Sequence, residues 1–187
     1  SFPVEASARH VHLTKEAVEA LFGPGAKLIK KRDLSQPGEF LSDQRVRLVT
    51  PKGEIANVAV LGPERSAVQV ELSLTDARQL GVKAPVNLSG DLSGAGDVYL
   101  VGEKGMIPAP GSVIAARAHI HMTPGDAGRL GVSDGEVVRV CVEGDRPVTF
   151  DRVVVRVKAS FALAMHLDFD EANACGLGNG ATGRIVR

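Results

Sequence analysis

Five histidines occur among the 187 residues, and four of them fall in two His-x-His pairs, His10-Val11-His12 and His119-Ile120-His121. In an extended strand alternate side chains point to one face, so each pair sets two imidazoles side by side and turns an apolar residue the other way. Two neighbouring imidazoles are half of a zinc site. The flanks match too, with Ala8-Arg9 and Leu13-Thr14 around the first pair and Arg117-Ala118 and Met122-Thr123 around the second. One such pair is ordinary, and a satisfied core or surface role would account for it. Two with matching neighbours read as a duplicated metal-binding unit.

The repeat reaches beyond the pairs. His12, Glu71, His121 and His166 fall in one column, followed by Leu13-Thr14, Leu72-Ser73, Met122-Thr123 and Leu167-Asp168: an apolar residue, then one suited to cap a helix. Ser73 to Asp76, Thr123 to Asp126 and Asp168 to Glu171 have capping-box spacing, whereas Thr14 has Glu16 in its first turn. A glycine closes each short helix, at Gly23, Gly81, Gly131 and Gly176. The unit is therefore a strand with a ligand-type residue at its end, a short capped helix, a glycine and another strand. It occurs four times.

Two residues before the column stand His10, Gln69, His119 and Ala164. Pairing copy one with two and three with four gives two ligand sets, His10, His12 and Glu71 for one and His119, His121 and His166 for the other. Three protein ligands leave a position for water or substrate, as in catalytic zinc; structural zinc is closed by four, usually with cysteines. Taken alone, Glu71 is a solvated strand-end carboxylate, and its column position is what argues otherwise. Cys141 and Cys175 lack Cys-x-x-Cys spacing, suit packing roles and point to a reducing compartment. Arg65, at the entrance of the strand leading to Glu71, carries a fork that grips phosphate or carboxylate, though a surface arginine is the plainer reading. Asn173 sits inside the fourth helix against its propensity, which either a polar contact to the second site or an exposed helix face would explain.

The elements that must position these residues are short. The chain has 21 glycines and 10 prolines, and its apolar segments are brief and bounded by turn residues, which favours many short strands over a helical fold. Strands are expected at 4–8, 45–50, 54–60, 67–72, 86–88, 98–101, 113–121, 137–142, 152–157 and 162–167, with Lys52-Gly53 as a hairpin turn. The length suits one domain or two small ones. Lysine plus arginine (22) balance aspartate plus glutamate (22) without basic clustering, so the electrostatic signature of a nucleic-acid binder is missing and the partner is expected to be small. No apolar run is long enough to span a bilayer and the N-terminus has no signal-peptide pattern, so a soluble cytoplasmic protein is expected. The chain begins at Ser1 rather than a methionine, which leaves open an upstream extension carrying targeting information.

Together, Val4-Glu5-Ala6-Ser7-Ala8-Arg9-His10-Val11-His12-Leu13, Val70-Glu71-Leu72-Ser73, His119-Ile120-His121-Met122 and Met165-His166-Leu167-Asp168 resemble the PduL-type phosphotransacylases, the phosphate propanoyltransferases of bacterial metabolism. The resemblance covers nearly the whole chain. It implies a mainly β fold of two β-barrels capped by short α-helices, with the first strand joining the barrel of the C-terminal half: residues 1–8 plus 117–187, and residues 9–116. It implies reversible acyl transfer between coenzyme A and phosphate with two zinc ions, for propanoyl or another short acyl group. His10, His12 and Glu71 match one zinc's ligands, and His119, His121 and His166 match the other's. Arg65 matches the phosphate-binding arginine, and Ala6, Ser7, Ala8 and Asn173 fall where the family contacts coenzyme A. A homodimer is a further expectation. Some members carry an N-terminal extension that directs them into bacterial microcompartments, so the lumen of such a compartment, with its shell or lumen partners, stands beside the cytoplasm as an expected location. Gly102-Glu103-Lys104-Gly105 departs from the Gly-Pro turn expected there, a change that could alter substrate fit.

No serine or cysteine pairs convincingly with a base in the sequence, so direct transfer is expected rather than a covalent acyl-enzyme. One zinc would take the coenzyme A sulfur as thiolate while the other, with Arg65, holds phosphate, which requires two open coordination positions facing each other. A dinuclear zinc hydrolase or a non-catalytic structural zinc module would use the same ligands.

Overall fold

The computed structural model describes all 187 residues and is mainly β. The N-terminal part runs β1 (Phe2–Ala6), β2 (His10–His12), α1 (Lys15–Phe22), β3 (Lys30–Asp33), β4 (Phe40–Thr50), β5 (Gly53–Gly62), β6 (Gln69–Glu71) and α2 (Leu74–Leu80). It continues through β7 (Val86–Asn87), β8 (Gly96–Val101), β9 (Met106–Ala116), β10 (His119–Met122) and α3 (Pro124–Leu130). The chain ends with β11 (Val137–Val142), β12 (Val148–Val157), β13 (Ala164–Leu167), α4 (Phe169–Cys175) and β14 (Thr182–Val186). The residues form two compact units, one of Ser1–Ala8, Ser35–Pro37 and Arg117–Arg187, the other of Arg9–Leu34 and Gly38–Ala116.

The first unit is a closed barrel in the order β1-β13-β10-β12-β11-β14. In the second, β4-β5-β2-β6-β9 closes through β8, which pairs with both β4 and β9, while β3 and β7 attach outside the ring. The two rings share one pairing plan. β10 is parallel to β12 and antiparallel to β13, as β2 is to β5 and β6. β1 is parallel to β13 and antiparallel to β14, as β9 is to β6 and β8. In both, the strand that completes one ring runs straight into the His-x-His strand of the other: β1 into β2 and β9 into β10. This is why two histidine pairs with near-identical flanks recur.

Closure leaves each ring without a free edge, and alternation then fills the interior. Val138, Val140 and Val142 of β11 are buried while their strand neighbours are not, and with Phe2, Val4, Ile120, Met122, Val153, Val155, Met165 and Leu167 they make one core. Val11, Leu48, Ile55, Val58, Val60, Val70, Leu100 and Val113 make the other.

Three sequence expectations need correction. The single strand expected at 113–121 is two, because Arg117-Ala118 carries the chain from the ring of β9 to that of β10, and the charged Arg117 is the one local mark of that handover. The hairpin turn is Pro51-Lys52, one residue earlier than expected, since Thr50 and Gly53 already pair. Thr14, Ser73, Thr123 and Asp168 all cap their helices, but the reciprocal capping box forms only at Thr123/Asp126 and Asp168/Glu171. The Asp76 carboxylate instead accepts a 2.9 Å bond from Arg9, which binds α2 to the start of β2. As expected, a glycine ends each helix: Gly81, Gly131 and Gly176 in the left-handed conformation, and Gly23 at φ 110°, ψ 158° with its amide donating to the Glu19 carbonyl, while the Lys104 amide adds a bond to the Leu21 carbonyl. The Gly102-to-Gly105 turn thus abuts α1, where a side chain on Gly105 would meet the Ala20 carbonyl at 2.1 Å. Pattern reading passed over β3, β14 and the first half of β9, which are charged, glycine-containing or proline-interrupted.

Candidate metal centres and anion site

In the second unit, antiparallel pairing sets His10 opposite Glu71 and His12 opposite Gln69. Val11 takes the core side of β2, so both imidazoles share the other face, where they are nonetheless buried. His10 Nε2 lies 3.2 Å from His12 Nε2 and 3.1 Å from Glu71 Oε2, and His12 Nε2 is 3.9 Å from Glu71 Oε1. Two donors that share a tetrahedral zinc at bond lengths of about 2.0–2.1 Å lie about 3.3 Å apart, so the spacing fits a cation. Burial, the neighbouring His10 and Arg65 hold the His12 imidazole well below its usual range against the opposing pull of Glu71. It is neutral, and its lone pair is available to a metal.

The carboxylate of Glu71 is held by Gln69, a residue marked in the sequence only as the place where a second histidine is missing. Gln69 Nε2 donates to Glu71 Oε1 at 2.6 Å and to Ser89 Oγ at 2.9 Å, while its Oε1 accepts the Gly90 amide at 2.8 Å. The Gly90 bond fixes which way the amide points. Ser89 Oγ also accepts from Arg65 Nη1 at 3.1 Å, so one chain of polar contacts runs from the cluster to the guanidinium. Arg65 is further fixed by its backbone amide, which donates to the Leu13 carbonyl next to His12, and by Glu39 Oε1, 3.5 Å from Nη2. Just ahead of it, Gly62 lies under the Phe40 ring, where a Cβ would come within 2.1 Å of Cζ.

In the first unit, His119 faces His166 across the antiparallel pair β10–β13. Ring centroids are 4.6 Å apart for His119 and His121, 5.0 Å for His121 and His166, and 5.3 Å for His119 and His166. Each of the two clusters has its ligand atoms within 4.8 Å of one another and could hold a metal ion. His119 Nδ1 lies 2.8 Å from the Arg117 carbonyl, which fixes the proton on Nδ1 and leaves Nε2 with its lone pair. His121 Nδ1 is buried with no hydrogen-bond partner, and burial followed by repulsion from His119, His166 and Arg156 lowers its pKa to about 2. A buried, neutral nitrogen without a partner among other imidazoles calls for an explanation, and a bound ion is one that fits this cluster. Gln36, also passed over in the sequence, clamps the backbone N–H and carbonyl of Ala162 and brings its Nε2 to 3.5 Å from His166 Nε2.

Of the residues matched to coenzyme A contacts, Ala6 pairs with Leu167, the Ser7 amide donates to the Leu167 carbonyl at 2.7 Å, and Ala8 follows, exposed. They lie alongside the strand end that carries His166. Asn173 is exposed on α4.

The family model for phosphate propanoyltransferase matches residues 3–178. A phosphate propanoyltransferase of Leptotrichia buccalis is 57% identical over 100% of this chain and 89% of its own length. Those of Listeria monocytogenes and Enterococcus faecalis are each 51% identical, over 98% and 100% of this chain and 86% and 89% of their own lengths. The chain belongs to the phosphate propanoyltransferase family. Beside its two three-donor clusters the chain has buried Gln69 and Gln36 and half-buried Ser89, which short-range motif reading does not detect. The only signal in the sequence for Gln69 is an uncharged polar residue on the inward phase of a strand end. No helix is long and apolar enough to cross a membrane.

Proposed function

We propose that this chain is a phosphate acyltransferase that reversibly converts a short acyl-coenzyme A, propanoyl-coenzyme A in the first instance, and phosphate into acyl phosphate and coenzyme A. The observation that carries the reading is the paired register of two three-donor clusters, His10/His12/Glu71 and His119/His121/His166, in a member of this family. Each set leaves coordination room for a substrate atom. Zinc ions bound there would supply Lewis acidity, favouring the thiolate form of coenzyme A and stabilising charge on the reacting carbonyl oxygen.

The protein's own groups do the rest by holding and orienting. Arg65 binds phosphate through its fork, preset by Ser89 and the backbone bond to Leu13. Gln69 keeps the Glu71 carboxylate turned toward His10. Ala6, Ser7 and Ala8, with Asn173, contact coenzyme A, their small side chains leaving room for it beside the end of β13. A phosphate oxygen forms a bond to the acyl carbon as the carbon–sulfur bond breaks. The sulfur leaves with the bonding pair, and the proton of hydrogen phosphate ends on the thiol. Transfer is direct: Cys175 is buried, its thiol pushed up by burial and bonded to the Ala172 carbonyl, and Cys141 lies within β11, so neither is placed as a nucleophile.

The domain organisation we propose is a barrel of residues 1–8 plus 117–187 and a barrel of residues 9–116. Homodimerisation and residence in a microcompartment are carried by family resemblance alone. The decisive experiment loads the protein with zinc, supplies propanoyl-coenzyme A and follows free thiol with and without phosphate. Thiol release that requires phosphate and yields acyl phosphate in equal amount is expected. Equal release without phosphate would replace this reading with that of a dinuclear hydrolase.

A further inference from the structure

Arg65 does not wait for an anion with both arms empty. Its Nη1 is engaged by a neutral hydroxyl, Ser89 Oγ, but Nη2 faces a carboxylate, Glu39 Oε1, at 3.5 Å, with the two side chains 35% and 39% exposed. Glu39 directly precedes β4, whose first residue Phe40 pairs with Gly62 and covers it with its ring at the approach to Arg65, so the backbone of Glu39 is held within reach of the guanidinium. At 3.5 Å and partly hydrated, the pair is weak and easily opened. An incoming phosphate would compete with it for Nη2 and then lie beside a like charge.

We propose that Glu39 is a built-in competitor for the anion on Arg65: it holds the guanidinium in position while the site is empty, and it weakens the binding of phosphate and acyl phosphate so that both leave readily. The inference rests on the proposed role of Arg65. It makes Glu39 a residue that sets anion affinity and has no part in bond making. Removing its charge should tighten anions and leave the thioester side alone, because the contacts proposed for coenzyme A are at Ala6, Ser7, Ala8 and Asn173 and not at Arg65.

The test uses the zinc-loaded full chain. Glu39→Gln, which keeps the shape and removes the charge, is compared with wild type for the KM of phosphate, of acyl phosphate and of propanoyl-coenzyme A. The expected result is a fall of about fivefold in the KM of phosphate and of acyl phosphate, the order that an exposed ion pair of up to about 1 kcal/mol supports at about 1.4 kcal/mol per tenfold. The KM of propanoyl-coenzyme A should be unchanged, and the difference in phosphate affinity should shrink as ionic strength rises. Glu54→Gln, which removes an exposed carboxylate paired with Arg47, serves as the control and should change none of these. A phosphate KM that is unchanged or raised in Glu39→Gln overturns the inference. Arg65→Ala separates that failure from failure of the underlying reading. If it raises the phosphate KM while Glu39→Gln does nothing, only the role of Glu39 is wrong; if it leaves the phosphate KM untouched, the assignment of Arg65 is wrong as well. In the double variant the effect of Glu39→Gln should vanish, and its persistence would also refute the competitor role.

Discussion

Replacing Gln69 by alanine should loosen one metal cluster and spare the other. The side chain is 3% exposed and makes three bonds, to Glu71 Oε1, Ser89 Oγ and the Gly90 amide. The 2.6 Å bond to the carboxylate is charge-assisted, worth about 1.5–3 kcal/mol, and truncation also strands the Gly90 donor. Together these put the stability loss at about 2–4 kcal/mol, partly offset by water entering the gap. In a chain of this size that lowers Tm by about 5–12 °C. The more specific consequence concerns metal binding. Glu71 loses the partner that sets its orientation, and loss of such an outer partner typically weakens a site by about 10–100-fold. Zinc affinity is best read by chelator competition in a His121→Ala background, in which only the His10/His12/Glu71 cluster is intact; Gln69→Ala should weaken binding there and leave a His12→Ala background unaffected. Equal zinc affinity with and without Gln69, despite a lowered Tm, would show that the amide is structural and that the orienting argument is wrong.

Two further outcomes follow from the same geometry. Burial raises the Glu171 carboxyl from the usual 4.5 to about 7, opposed by the hydrogen bond from the Asp168 amide. A carboxyl with its folded pKa above its unfolded one binds the proton more tightly in the native state, so stability is greatest below about pH 4.5 with respect to this group and falls as pH rises through about 7, by at most about 3 kcal/mol at 1.36 kcal/mol per unit. Urea denaturation at pH 5.5 and 8, which spans about 1.5 units of that range, should show a loss of up to about 2 kcal/mol in wild type and a flatter profile in Glu171→Gln; parallel profiles would count against it. Thr123→Ala removes the acceptor for the Asp126 amide and half of a capping box, which should cost about 1 kcal/mol, seen as a lowered denaturation midpoint with zinc stoichiometry intact.

The ligand types and their spacing were legible in the chain itself because strand and helix periodicity are local. Alternation set His10 with His12 and His119 with His121, and the residue two beyond each column position, Thr14, Ser73, Thr123 or Asp168, caps a helix because its side-chain oxygen accepts a first-turn amide that has no other acceptor. The fourfold repeat then marked Glu71 and His166 as their partners. What no local pattern could specify is pairing across distance. Register opposed His10 to Glu71 and His119 to His166, and it turned Gln69 from a missing histidine into the support of a carboxylate. The same is true of Arg9, which draws Asp76 out of a capping box 67 residues away, and of the passage from one ring to the other at Arg117-Ala118. Those contacts depend on which strands close which ring, a choice made by the total burial of two cores and not by the preferences of any short segment.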